Sequence, residues 1–128
     1  EEKVEVTLLN KWDDVVTYSN QLSLKLMRVD EIKLTSNPNQ AVLDADKLVF
    51  PLTIRKWKEG DKFSPLGMKG KKKVSDFLID KKISRIDKKD VFVLTSEKTI
   101  CWLMGQQIDD KFKVTSQTKN VAVLTLLI

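Results

Sequence analysis

Histidine is absent from the 128 residues, and cysteine occurs once, at Cys101. The first absence removes the commonest general base and the commonest metal ligand. The second excludes an internal disulfide and fits a reducing compartment. A zinc site would need several carboxylates to converge, and no spacing of Asp and Glu suggests one. Apolar runs fall far short of the ~18 residues of a membrane span, and no charged-then-apolar leader with a small-residue cleavage site stands at the amino terminus. Tandem repeats and low-complexity tracts are missing too. These gaps lead to the expectation of a soluble, cytoplasmic protein with no membrane partner and little room for catalysis of its own. Hydrophobic residues at 41% and charged residues at 32% argue against disorder. The length suits one domain with a real core.

What is abundant is positive charge, and it sits in one place. Formal net charge is +5, but residues 54–89 hold 13 Lys/Arg against 5 Asp/Glu, a local excess of +8, while the remainder holds 10 against 13. Four of the five positions 69–73 are lysine, directly ahead of the apolar stretch VSDFLID. A surface built only for solubility would mix its signs; this asymmetry is what a polyanion-binding face produces.

Periodicity points to a β-rich chain. Val4–Leu9 alternates, Val15–Tyr18 is β-branched and aromatic, and Leu22, Leu24 and Leu26 alternate with Ser23, Lys25 and Met27. Residues 36–40, SNPNQ, gather turn formers and read as a loop or linker. Ala41–Leu43, Leu48–Ile54, Val91–Thr95, Thr99–Met104 and Val121–Leu127 read as further strands, with Pro51 at an edge or a strand start. Glu59-Gly60-Asp61 is a turn signal. Two glycines and a proline prevent a regular helix between Phe63 and Lys73. Ser75 is the expected hydroxyl cap of a short helix that buries Phe77, Leu78 and Ile79, with a second helical turn near Ile86.

Gly67-Met68-Lys69-Gly70-Lys71 superficially suggests two phosphate sites. A Walker loop needs four residues between its glycines and a Ser or Thr after the lysine; here there are two, and Lys72 follows Lys71. The same residues spell the GXXG of a KH domain, but that loop joins two helices, and Pro65 after strand-like sequence opposes it. What stands is more general: glycine-freed amides, several ammonium groups and a helix start converge on phosphate. Trp57, inside Arg-Lys-Trp-Lys, is open to two readings, a stacking partner for an unpaired base or a half-buried anchor. Trp102 and Cys101 read as core. The pairs Asp13-Asp14 and Asp109-Asp110 read as turn residues whose side chains diverge.

The stretches LDADKL (43–48), PLTIRKWKEGDKFSPLGMKGKKKVSDFLIDKKI (51–83) and WLMGQQIDDKFKVT (102–115) together resemble the carboxy-terminal domain of bacterial tRNA(Ile)-lysidine synthetase. The resemblance covers about two-thirds of the chain. It divides the sequence into residues 1–40, a β-rich amino-terminal portion of the same region, and residues 41–128, the resembled domain, the two forming one compact unit. It implies a mainly β, β-rich α+β fold: sandwich-like sheets with one or two short helices, similar to a domain in the β chain of phenylalanyl-tRNA synthetase.

The family is a ligase of tRNA processing that uses ATP to join lysine to the first anticodon cytidine of an isoleucine tRNA. The catalytic domain carries a Ser-Gly-Gly-x-Asp-Ser type motif that this sequence lacks. The resemblance therefore implies a non-catalytic piece that binds the tRNA acceptor stem. ATP, lysine and magnesium would belong to the catalytic amino-terminal domain, the other expected partner, and this piece needs no cofactor or metal. Arg55, Lys62, Lys69, Lys71, Lys72 and Lys73 lie on the family's basic signature, with Lys81 and Lys82 following. Lys56, Lys58 and Arg85 extend the same charge and complete the expected tRNA-binding set. Ser84 stands where a proline often closes the helix, and Gln107 where an arginine is common. The alternative function is a protein-docking module, which could self-associate as a homodimer.

Overall fold

A computed structural model of the chain describes residues 7–9, 15–17, 21–28 and 37–127. Two antiparallel sheets form the body. The first has the order β1 (Thr7–Leu9), β5 (Leu52–Lys56), β8 (Phe92–Ser96), β9 (Thr99–Leu103), β10 (Gln107–Ile108). The second has the order β2 (Val15–Thr17), β3 (Gln21–Arg28), β11 (Asn120–Leu127), β4 (Gln40–Asp44). The amino-terminal strands feed both sheets, β1 pairing with β5 and β3 with β11 in register Leu24 to Leu124. The remaining elements are a small hairpin, β6 (Lys62–Phe63) with β7 (Lys72–Lys73), and the helices α1 (Val74–Asp80) and α2 (Arg85–Lys88).

The inward residues follow the two-residue period of a strand. Leu52 and Ile54 on β5, Phe92 and Leu94 on β8, Ala41 and Leu43 on β4, and Ala122, Leu124 and Leu126 on β11 share one apolar cluster between the sheets. A bulge adjusts this pattern on β9: Leu94 faces Trp102 and Thr95 faces Ile100, so Cys101 is the extra residue. Cys101 and Trp102 can then both join the sandwich core, where each is almost fully buried. The Cys101 thiol donates to the Leu94 carbonyl at 3.3 Å, and burial pushes its pKa up, with the charge of Asp109 acting the same way. Such a thiol is an inert packing group.

The other face of the first sheet is also covered. Val93, Ile100 and Leu103 meet Phe63, Val74, Phe77 and Leu78, so the basic segment and α1 form a third layer. β8 consequently has all five residues buried. At the far edge, Asp44 accepts from the Asp46 amide and the Thr118 hydroxyl, each at 2.9 Å, and Asp46 accepts from the Lys119 amide at 2.9 Å. These bonds lock the 3-10 turn after β4 to the start of β11.

The β-rich sandwich with short helices is the architecture expected from the sequence. Differences are local. The strand expected over Leu48–Ile54 begins at Leu52, because the Ser96 hydroxyl accepts from the Val49 amide at 2.7 Å and donates back to its carbonyl at 3.1 Å, holding that stretch as a connection. Strands β6, β7 and β10, two residues each, are too short to show a period. Helix α1 starts two residues earlier than expected: Lys73, not Ser75, is the cap residue, with no side-chain cap bond, and Ser75 lies in the first turn. The Val74 amide is satisfied instead by the Asp61 carbonyl at 2.9 Å. Residues 4–6, Tyr18, Ser36 and the Asp13-Asp14 pair lie outside the described residues.

Trp102 is 1% exposed at the centre of the sandwich. Trp102→Ala should lower unfolding free energy by about 3–5 kcal/mol, read as a reduced urea midpoint by circular dichroism.

Candidate nucleic-acid interface

The basic segment is built on a hairpin with tied ends. Register pairs Lys62 with Lys73 and Phe63 with Lys72, so residues 64–71 form the connecting loop. Phe63 is fully buried and meets Phe77 of α1 edge-on, centroids 5.3 Å apart, which fixes the hairpin to the helix. Lys72 pairs with Asp80 at the other end of α1.

Below the hairpin, Arg55 and Asp61 form a two-pronged ion pair, at 2.9 and 3.0 Å, with Arg55 also donating to the Lys56 carbonyl. Asp61 further accepts from the Lys58 amide at 2.8 Å across the Gly60 turn. A buried carboxylate with this many donors is a structural knot.

Above the hairpin, the adjacent acids Asp109 and Asp110 diverge, as expected of them, and each takes a backbone amide of the loop. Asp109, 2% exposed, accepts from Ser64 at 2.8 Å. Asp110 accepts from Gly67 at 3.0 Å, and its own amide donates to the Ser64 carbonyl at 2.7 Å. The turn Pro65–Met68 closes through a 2.8 Å bond, with Gly67 at φ +92, a conformation glycine adopts without strain. Lys113 pairs with Asp110 at 3.1 Å. The Gly67 amide, then the Lys113 ammonium, hold the Asp110 carboxyl below the usual carboxylate range, and the charge of Lys69 adds to this.

On this frame the expected binding residues divide. Lys62, Lys69, Lys71, Lys73, Lys81 and Lys82 are exposed and make no ion pair with a described carboxylate. Lys81 has its Nζ 5.5 Å from the Phe77 ring centroid. Lys82 holds a left-handed backbone, φ 59, where a helix end more often has glycine, and the bonds Lys82 to Ile79 and Ile83 to Leu78 close that end. Such a conformation disfavours a side-chain-bearing residue by roughly 1–2 kcal/mol. Lys58 is exposed at the Gly60 turn, and Lys56 is partly buried. Arg55 and Lys72 are engaged by Asp61 and Asp80, which makes them braces. Arg85 opens α2, with its side chain outside the described ones.

The roles of Asp109 and Asp110 in holding the loop were not visible from sequence, since pinning partners 43 to 45 residues apart leave no local signal; Asp61 reads only as a turn residue, although Arg55 and Lys58 lie 6 and 3 residues from it. Lys113, which pairs with Asp110 only three residues away, lies outside the basic segment that the sequence singles out. Among the described residues, no group of three or more His, Cys, Asp or Glu could hold a metal ion. What remains is an array of cations on a rigid root, able to meet several phosphates without first being ordered.

Sandwich, third layer and pinned cationic loop together define a β-sandwich domain that displays a basic loop. Residues 52–125 match the family described as the TilS substrate C-terminal domain. The chain belongs to that family. It is 45% identical over 103 residues to the tRNA(Ile)-lysidine synthase of Parabacteroides distasonis, 80% of this chain and 24% of that protein. It is 38% identical over 97 residues to the enzyme of the same name from Bacteroides thetaiotaomicron, 76% of this chain and 23% of the other. The chain thus spans about a quarter of the length of these relatives. Its fold is similar to a crystal structure of a TilS C-terminal domain, TM-score 0.81 at 16% identity, covering 97% of this chain and 96% of the other. It is also similar to an N-terminal fragment of the phenylalanyl-tRNA synthetase β-subunit from Pyrococcus horikoshii, TM-score 0.59 at 22% identity, covering 68% of this chain and 27% of that one.

Two outcomes test this frame. Because the Asp110 carboxyl is held low in the folded state, its bond to Gly67 is intact above the ordinary carboxylate pKa of ~3.9 and is lost as pH falls through the lower folded value. The Gly67 amide resonance should therefore titrate with a midpoint below that of a free carboxylate, and the step should vanish in Asp110→Ala. Asp61→Ala, which leaves Arg55 and the Lys58 amide without their acceptor, should cost about 2–3 kcal/mol, read as a lower unfolding temperature.

Proposed function

We propose that this domain holds the acceptor stem of an isoleucine tRNA through Lys62, Lys69, Lys71, Lys73, Lys81 and Lys82. In the whole enzyme this would position the anticodon cytidine for ATP-dependent joining of lysine by a catalytic amino-terminal domain in the cytoplasm. The observation that carries the reading is the pinned loop: Asp109 and Asp110 hold it through backbone amides, while Lys62, Lys69, Lys71, Lys73, Lys81 and Lys82 pair with none of the described carboxylates. A-form RNA hides its base edges in a deep, narrow groove, so lysines contact phosphates and recognise the stem by shape. The α1 amino terminus contributes little, since its first amide is already bonded to Asp61. Lys58 and Lys56 would extend the face, and Arg55 and Lys72 would shape it.

The contribution to the reaction is positional. Tethering the stem raises the effective concentration of the anticodon at a distant active site. ATP, lysine and magnesium act there, and the domain itself performs no chemistry.

The test is binding of the 128-residue chain to a blunt acceptor-stem minihelix, titrated in salt, against a single-stranded RNA of equal length. Duplex preference is expected, with log affinity falling by roughly 0.7–0.9 per contact for each decade of salt. Replacing Lys71 and Lys73 together by Gln, which spares the Lys72–Asp80 brace, should flatten that slope by roughly 1.4–1.8 and leave the circular dichroism spectrum unchanged. Salt-insensitive self-association in place of RNA binding would favour a protein-docking module instead.

A further inference from the structure

A cationic groove adjoins the proposed stem-binding face and shares Lys56 and Lys58 with it. The groove, of about 600 Å³, runs between the end of β5, the outer flank of α1 and the end of α2, and none of residues 62–73 lines it. Its walls carry Lys56, Lys58, Lys88 and Lys89, with Glu59 as the acid among its lining residues. Between them lie Trp57 and Ile79. Ile79 is 57% exposed, an unusual place for a large apolar side chain on a helix flanked by lysines.

Trp57 combines both readings left open by the sequence. Its indole N–H donates to the Lys88 carbonyl at 2.7 Å, and part of the ring packs against the third-layer core, which fixes the ring in place. The part left uncovered borders the groove. A held aromatic, an exposed aliphatic and several ammonium groups offer two chemistries side by side: a flat apolar surface and a positive field.

We propose that this groove binds an unpaired nucleotide, its base against Trp57 and Ile79 and its phosphates against Lys58, Lys88 and Lys89. A duplex cannot fill the groove, because its bases are already stacked on one another. An acidic peptide would satisfy the lysines and leave the apolar pair uncovered. Base stacking on an aromatic ring beside cations is the general way single strands are held. The inference rests on the domain's proposed RNA binding and adds to it a site for a single-stranded segment next to the stem held by the loop.

The experiment compares the 128-residue chain binding three minihelices: blunt, with a four-nucleotide 3′ extension, and with a four-nucleotide 5′ extension. One extension should tighten binding by ~10-fold over blunt, in line with a stacked base. Trp57→Leu, which keeps apolar bulk and removes the ring, should abolish the gain while leaving blunt-duplex affinity unchanged. Should Trp57→Leu fail to fold, exposed Ile79→Ala and the pair Lys88→Gln with Lys89→Gln should each reduce the gain. Blunt binding with no gain from either extension overturns the inference and leaves the stem-binding reading standing. Loss of all RNA binding removes both. Displacement of the extended minihelix, but not the blunt one, by a poly-glutamate peptide overturns the inference in favour of a protein partner.

Discussion

The structure depends on the need to cover the first sheet on both faces. β8 has five buried residues in a row, so apolar side chains point in both directions, and each direction must find a cover. The second sheet covers one face with Ala41, Leu43, Ala122, Leu124 and Leu126. The small hairpin β6–β7 and helix α1 cover the other. The segment that does so is the most basic in the chain, using Phe63, Val74, Phe77 and Leu78. A segment with so many lysines would be expected to stay in solvent, but its four apolar anchors oblige it to pack. Its lysines are thereby displayed from a rigid layer.

The acids of this region explain how a cationic loop can be both ordered and available. Asp61 is taken by Arg55 and a turn amide, Asp80 by Lys72, and Asp109 and Asp110 by loop amides. Pinning through backbone amides orders the chain while neutralising few lysines. Lys82 shows the same preference in another form, with a charged residue kept in a backbone conformation that favours glycine. Stability is given up locally, and charge is kept at the surface. The groove around Trp57 continues this logic on the opposite flank of α1, where an anchor residue also forms part of a surface.

Much of the architecture was legible because it is written in short-range patterns. Alternation along Leu22–Leu26 and the Val- and Leu-rich runs near Leu94 and Leu124 mark strands, and glycine at 60 marks a turn. The concentration of charge in residues 54–89 located the candidate interface. The cap of helix α1 was read two residues late, because the sequence shows a serine that suits a cap and does not show that the Asp61 carbonyl, 13 residues before Val74, already satisfies the first amide. Arg55 and Lys72 carry the same charge as their neighbours, and only their distance to Asp61 and Asp80 separates braces from exposed cations.

The sequence by itself determined the β-rich class, the single basic segment, the exclusion of histidine and disulfide chemistry, and the family that the ordered motifs resemble. Each is a property of composition or of neighbours along the chain. Tertiary structure alone decided which sheet the basic segment covers, which lysines pair with no described carboxylate, that Asp109 and Asp110 hold a loop more than 40 residues away, and that Trp57 and Ile79 line one groove. The physical reason is that burial and ion pairing act through distance in space, and a one-dimensional pattern records distance only along the chain.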